Sequence, residues 1–249
     1  MTEDAAIVRA CAKVNLVLRV GPRRADGYHE LVTLIARISL ADVLLVSDAP
    51  AVAVDCPGLP GGDTLVTRAL RLLCEASGHD GGFHVHIDKR IPHGAGLAAM
   101  IGSDVPALLH DEAVVARGRG DRVEVLGHLP AAHLALAHPG RPLATRDVYQ
   151  AYVPGDRPLP DAIELPRTLE AMAALVENDL AEPAERLEPG CRGLREQLAA
   201  AGAMAACVSG SGSVVFGLFG SEQEAAAAAA NLEGAAWTTT AALGTDPAA

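Results

Sequence analysis

Two glycine-rich segments carry the residue types best suited to holding an anion. Pro92-His93-Gly94-Ala95-Gly96-Leu97 lies near the middle of the chain, and Ser209-Gly210-Ser211-Gly212 lies near its end. Glycine adopts backbone angles closed to other residues, so neighbouring N–H groups can approach a phosphate closely. Asp104 follows the first segment in Gly102-Ser103-Asp104-Val105-Pro106. A carboxylate there can accept a proton, although a lone Asp in such a setting more often serves a turn or cap. The other candidates are Lys13 and Asn15 in Ala12-Lys13-Val14-Asn15-Leu16, and Tyr28 and His29 in Asp26-Gly27-Tyr28-His29-Glu30-Leu31. Thr145 and Tyr149 in Thr145-Arg146-Asp147-Val148-Tyr149 complete the set. Read singly, each has a bland alternative. A strand lysine is usually solvated, the tyrosines read as half-buried packing, and a Ser/Gly cluster reads as a flexible turn.

These residues need elements to hold them. Short alternating runs predict strands over Ala12 to Val20, Leu31 to Ser39, Val43 to Ser47 and Phe83 to Ile87. The segment Gly21 to Gly27 predicts a turn between the first two. Asp63-Thr64 predicts a cap for a helix from Leu65 to Ser77, stopped by Gly78. Residues 111–127 predict short strands around a turn at Gly118-Arg119-Gly120-Asp121. Leu134 to Ala137 predicts a strand ending at His138-Pro139-Gly140, with a domain boundary just before it, giving units 1–130 and 131–249. Helices are expected near Pro166 to Glu177, Pro183 to Leu187 and Cys191 to Ala201, with proline opening the first two. Ala205 to Val208 and Val214 to Leu218 read as strands flanking the Ser/Gly loop. Ser221 to Leu232 reads as an alanine-rich helix.

Composition narrows the class. The 249 residues are 50% hydrophobic but only 3% aromatic, so a large core must be built from Ala, Val and Leu. No apolar run approaches the ~18 residues of a membrane span. The acidic start, Met1-Thr2-Glu3-Asp4, lacks the features of a secretory signal. A net charge of −11 disfavours nonspecific binding to nucleic acid or anionic membrane. Five scattered cysteines without a CxxC pair predict reduced, buried thiols and a cytoplasmic location. His84 and His86, two apart on a strand, lack further metal ligands. Arg117, Arg119 and Arg122 form a basic cluster that suits either a substrate phosphate or a solvated hairpin.

Taken together and in order, these motifs resemble the GHMP kinase superfamily. The Gly-Tyr-His-Glu-Leu segment points to its members that act on a cytidine diphosphate derivative of methylerythritol. The similarity runs over nearly the whole chain, including Val176-Glu177-Asn178-Asp179-Leu180. It implies an α+β, two-domain GHMP kinase fold, ribosomal-protein-S5-domain-2-like at the N-terminus and ferredoxin-like at the C-terminus. It implies transfer of the γ-phosphoryl of ATP to the substrate's 2-hydroxyl, with Mg²⁺, in non-mevalonate isoprenoid synthesis. By the same resemblance, Asp104 is the proton acceptor and Lys13 its partner. Asn15, Tyr28, His29, Thr145 and Tyr149 bind substrate. Pro92, His93, Gly94, Ala95, Gly96 and Leu97 hold the nucleotide with Ser209, Gly210, Ser211 and Gly212. No metal ligand is assigned to the chain.

One departure stands out. The family's central motif continues as Gly-Leu-Gly-Gly-Gly-Ser-Ser into a long helix. Here Gly96-Leu97 is followed by Ala98-Ala99-Met100-Ile101 and then by Gly102-Ser103-Asp104. The N-terminal domain is therefore expected to be shortened, without the helix whose N-terminus would face phosphate. Thr64 stands where an Asn near the adenosine is usual. Ser103 could stand in for one lost hydroxyl. Loss of the helices predicts exposed apolar surface, which a homodimer or a rearranged segment would cover. Two readings stay open: an ATP-dependent kinase, or a noncatalytic remnant that binds cytidine diphosphate ligands without productive ATP binding.

Overall fold

The computed structural model describes residues 5–57, 65–92 and 105–243, with 105 and 106 described for their backbone alone. The first half contains β1 (Ala6–Arg23), β2 (His29–Ala49), β3 (Ala53–Asp55), α1 (Leu65–Ser77), β4 (Gly82–Asp88), α2 (Val105–Leu108), β5 (Ala113–Gly118) and β6 (Arg122–Gly127). The second half contains β7 (Ala132–His138), α3 (Thr145–Ala151), α4 (Leu169–Leu175), β8 (Glu177–Asn178), α5 (Ala181–Leu187), α6 (Pro189–Ala200), β9 (Ala205–Val208), β10 (Val215–Phe219), α7 (Glu222–Ala230) and β11 (Trp237–Leu243).

β1 and β2 form a long antiparallel ribbon, and β2 also receives β4 along one stretch and β5 along another. In the second half the order is β11-β7-β10-β9, all antiparallel. Among the described residues, two strand pairings join the halves: Leu243 with Ile38, and β8, which runs parallel to β1 at Val17 and Leu18.

β10 shows why its sequence folds this way. Strand side chains alternate between faces. Phe216 and Leu218 enter a core shared with Val14 and Leu16 of β1 and Leu34 of β2. Val215 and Phe219 face the opposite way, onto Leu194 and Leu198 of α6 and Ala225 of α7. Each such large apolar side chain contributes roughly 1.5–3 kcal/mol on burial. The alanines of α7 let that helix approach the sheet closely; Ser221 caps it by accepting from the Glu224 N–H.

Several expectations hold: α1 ends at Ser77, directly before Gly78, whose φ is +67°, and the hairpin turn falls at 118–121. Others are corrected. The two expected strands over 31–47 are one strand of 21 residues. The intervening Leu40-Ala41-Asp42 contains no chain-reversing residue, and Asp42 points inward to bind backbone. The first strand runs on to Arg23, past Gly21 and Pro22. Pro166 lies before α4, which is capped by Thr168 instead, and Pro183 sits inside α5 rather than at its start. The expected cap at Asp63-Thr64 lies outside the described residues. Leu65, Leu72 and Leu73 of α1 are exposed.

Candidate active site

Lys13 and Asn15 sit two apart on β1 and so project from one face. The strand is irregular on both sides of them, between Cys11 and Lys13 and between Asn15 and Val17. Such irregularities re-aim side chains and are frequent beside functional sites. Both residues are buried. Lys13 Nζ donates to Asn15 Oδ1 at 2.6 Å, and Asn15 Nδ2 donates to Thr33 Oγ1 at 2.9 Å. Thr33 in turn donates to the Val17 carbonyl at 2.7 Å. The Asn15 amide is thus oriented from both ends, and it presents its oxygen to the ammonium.

The Ser/Gly loop between β9 and β10 closes over this pair. The Asn15 backbone N–H donates to Ser209 Oγ at 3.3 Å. Gly210 has φ +59° and Gly212 φ +84°, a region that side-chain-bearing residues rarely occupy. A Cβ on Gly210 would lie 3.2 Å from Asn15 Oδ1 and 3.5 Å from Lys13 Nζ. A side chain at 210 would therefore crowd the Asn15 oxygen that holds the lysine. Ser211 Oγ is 2.9 Å from Thr145 Oγ1, the first residue of α3.

Aromatic groups gather at the other end of β1. His29 Nδ1 lies 2.8 Å from the Gly21 carbonyl, which can only accept, so Nδ1 carries the proton. The His29 ring is 5.5 Å from Tyr149 and 6.0 Å from Tyr152. Tyr152 donates to the Val20 carbonyl at 2.7 Å, and burial pushes its phenol pKa up. Tyr28 is 58% exposed. Arg119 lies over its ring at 5.2 Å. A polar cavity of about 260 Å³ borders this end, lined by Arg19, Tyr152, Gly155, Arg157 and Asp179.

Of the sequence candidates, the structure brings Lys13, Asn15, Ser209 and Gly210 together, and His29 with Tyr149. The contact of Thr145 with Ser211 links the two groups. Pro92 is partly buried directly after Ile91, at the entrance to the central glycine segment. His93, Gly94, Ala95, Gly96, Leu97 and Asp104 lie outside the described residues, as does Ser103. Each member of the basic cluster has a partner within the chain: Arg117 donates to the Pro160 and Asp161 carbonyls, Arg122 pairs with Glu30, and Arg119 pairs with Asp121. His86 pairs with Asp55, and among the described residues no three His, Cys, Asp or Glu side chains gather to hold a metal. All five cysteines are free; burial pushes Cys191 to about 12 and Cys207 to about 11.

Three contributors were not singled out from the sequence. Tyr152 stands three positions after Tyr149, a spacing that puts both rings on one face of a helical turn, so a signal existed. Thr33 and Asp42 carried none, because nothing in type or spacing sets them apart from the other polar residues of β2, such as Arg37, Ser39 and Ser47.

Residues 64–99 match the GHMP kinases N terminal domain, and residues 160–238 match GHMP kinases C terminal. The chain is 38% identical to the 4-diphosphocytidyl-2-C-methyl-D-erythritol kinase of Thermus thermophilus over 264 positions, covering 93% of this chain and 94% of that protein. It is 34% identical to the kinase of the same name from Rhodospirillum rubrum over 262 positions, covering 89% and 86%. A crystal structure of 4-(cytidine 5'-diphospho)-2C-methyl-D-erythritol kinase superposes with a TM-score of 0.81 at 35% identity, covering 96% of this chain and 100% of that one. In the Thermus alignment, 93% of 249 residues fill about 232 of 264 positions, so about 32 positions have no residue from this chain.

Proposed function

This chain belongs to the 4-diphosphocytidyl-2-C-methyl-D-erythritol kinase family of GHMP small-molecule kinases, and we propose that it transfers the γ-phosphoryl of ATP to the 2-hydroxyl of 4-diphosphocytidyl-2-C-methyl-D-erythritol. The observation that carries this reading is the Ser209–Gly212 loop seated on Lys13 and Asn15, with His29 and Tyr149 set apart as an aromatic site. Phosphoryl transfer requires little covalent chemistry from the protein; it requires positioning and charge stabilisation. Glycine-supported N–H groups beside an ammonium supply both.

In this reading the 2-hydroxyl oxygen forms a bond to the γ-phosphorus while the bond to the β,γ-bridging oxygen breaks, and ADP leaves. The hydroxyl proton passes to the Asp104 carboxylate. Lys13 keeps that carboxylate ionised and orients the hydroxyl. When His29 is neutral, its Nδ1 proton is committed to Gly21 and Nε2 is left as an acceptor. That suits the N4 amino donor of cytosine and opposes the O4 acceptor of uracil. Tyr28 and Tyr149 offer ring faces for the base. In this reading Pro92 to Leu97 would bind the ATP, between an N-terminal unit of residues 1–130 and a C-terminal unit of 131–249. The described residues build no cage for Mg²⁺; the ion would come bound to the ATP phosphates, as it commonly does.

The test compares wild type with Asp104→Asn. The variant should lose phosphoryl transfer while CDP affinity, measured by titration calorimetry, stays within about twofold. Equal activity would remove Asp104 from the mechanism, and equal affinity for UDP and CDP would remove His29 from base selection.

A further inference from the structure

Asn178 and Asp179 are adjacent residues that grip two different parts of the site. Asn178 Nδ2 donates to the Val208 carbonyl at 2.7 Å and to the Gly210 carbonyl at 2.8 Å. Its Oδ1 accepts from the Leu180 N–H at 2.8 Å. Asp179 faces β1 instead. Its N–H donates to the Leu18 carbonyl at 2.9 Å, and its Oδ2 accepts from the Val20 N–H at 2.8 Å and from Arg19 Nε at 3.0 Å. The short strand β8 pairs with β1 at the same place.

The two gripped parts are the ones that must meet. The Val208 and Gly210 carbonyls flank Ser209, whose hydroxyl receives the Asn15 N–H. Within a planar trans peptide, C=O and N–H point in opposite directions. A Gly210 carbonyl held by Asn178 therefore turns the Ser211 N–H away from Asn178. Only a side-chain amide satisfies this position. Two carbonyl acceptors face one nitrogen, which must supply two protons, while an acceptor is needed for Leu180. A carboxylate here would oppose both carbonyls.

We infer that Asn178 and Asp179 form a bracket that fixes the Ser/Gly loop at its working distance from Lys13, with Asn178 the positioning residue that orients the loop. The kinetic part of this inference rests on the kinase reading above; the structural part does not.

Two variants test it. Asn178→Asp preserves size and removes both donors, and Asn178→Thr keeps one hydroxyl donor. The kcat of Asn178→Asp should fall at least about tenfold, the scale of a misplaced reacting group, with CDP affinity within about twofold of wild type. Asn178→Thr should fall between the two. Amide hydrogen exchange of residues 208–213 should quicken in both variants while that of β7 is unchanged. Unchanged exchange in the loop of either folded variant overturns the bracket, whatever the activity. A uniform quickening over the sheet, with kcat and CDP affinity falling together, overturns the positioning role in favour of a general packing one. If Asn178→Asp does not fold, Asn178→Thr decides by the same readouts. If wild type transfers no phosphoryl group, the kinase reading fails while hydrogen exchange still decides the bracket.

Discussion

Asp42 offers a prediction whose size can be worked from the structure. Its side chain on β2 is only 7% exposed, and it anchors the segment that leads into the central glycine loop. Oδ1 accepts from the Arg90 and Ile91 N–H groups, each at 2.8 Å, and Oδ2 accepts from Lys89 Nζ at 2.6 Å. Asp42→Ala strands two backbone donors, each costing about 1–3 kcal/mol if they stay dry. It also takes the carboxylate partner from Lys89, which keeps its bond to the Ile91 carbonyl. At 21% exposure that ammonium can reach water, so its loss adds little. The total is about 2–6 kcal/mol. Asp42→Asn keeps an oxygen for the two N–H groups and loses only the ion pair, about 1 kcal/mol. For a chain of this length, 1 kcal/mol moves Tm by about 2–4 °C. Thermal unfolding followed by circular dichroism should show a drop of roughly 10 °C for Ala and about 3 °C for Asn. ATP affinity should fall in the Ala variant, because Pro92 follows the anchor directly. A Tm for Asp42→Ala within about 1 °C of wild type, or an Asn variant as damaged as the Ala variant, would refute the reasoning.

Two further predictions test other parts of the account. Gly210→Ala combines a φ of +59° with a Cβ 3.2 Å from Asn15 Oδ1; the αL strain of about 1–2 kcal/mol should lower Tm by a few degrees. Displacing that oxygen, which holds Lys13, should also lower kcat several-fold, and initial-rate kinetics beside a melting curve checks both. Burial holds the His138 imidazole below its usual pKa, and its Nδ1 accepts from the Gly140 N–H at 2.9 Å. The folded protein therefore takes up this proton less readily than the unfolded chain. The stabilisation is fully present above the unfolded value of about 6.5 and is lost as pH falls through the folded value. Tm should drop more between about pH 7.5 and 5 in wild type than in His138→Asn; parallel curves would exclude His138 as the cause.

What the sequence made legible depended on the range of the interactions. β9, β10 and α7 follow from local pattern, since alternation and an N-cap serine are read within a few residues. α3 was not foreseen: it is seven residues long and its N-cap, Ala144, makes no side-chain bond. β11 was not foreseen either, because its Thr-rich segment reveals its burial only against β7. Lys13 and Asn15 could be paired from their spacing. That Ser209 meets Asn15 across 194 residues could not, and only the resemblance of both motifs to one family suggested it. The role of Asn178 stayed hidden for the same reason. Its partners, the carbonyls of Val208 and Gly210, are backbone groups that every residue carries, so no residue type marks them.

The most direct measurement follows the transferred group itself. The purified chain is incubated with ATP labelled in the γ-phosphoryl, with Mg²⁺ and 4-diphosphocytidyl-2-C-methyl-D-erythritol, and the products are separated. Label is expected on the methylerythritol 2-phosphate, dependent on substrate and absent with Asp104→Asn. Label found only in ATP, or only in inorganic phosphate, from a folded sample that binds CDP would contradict it.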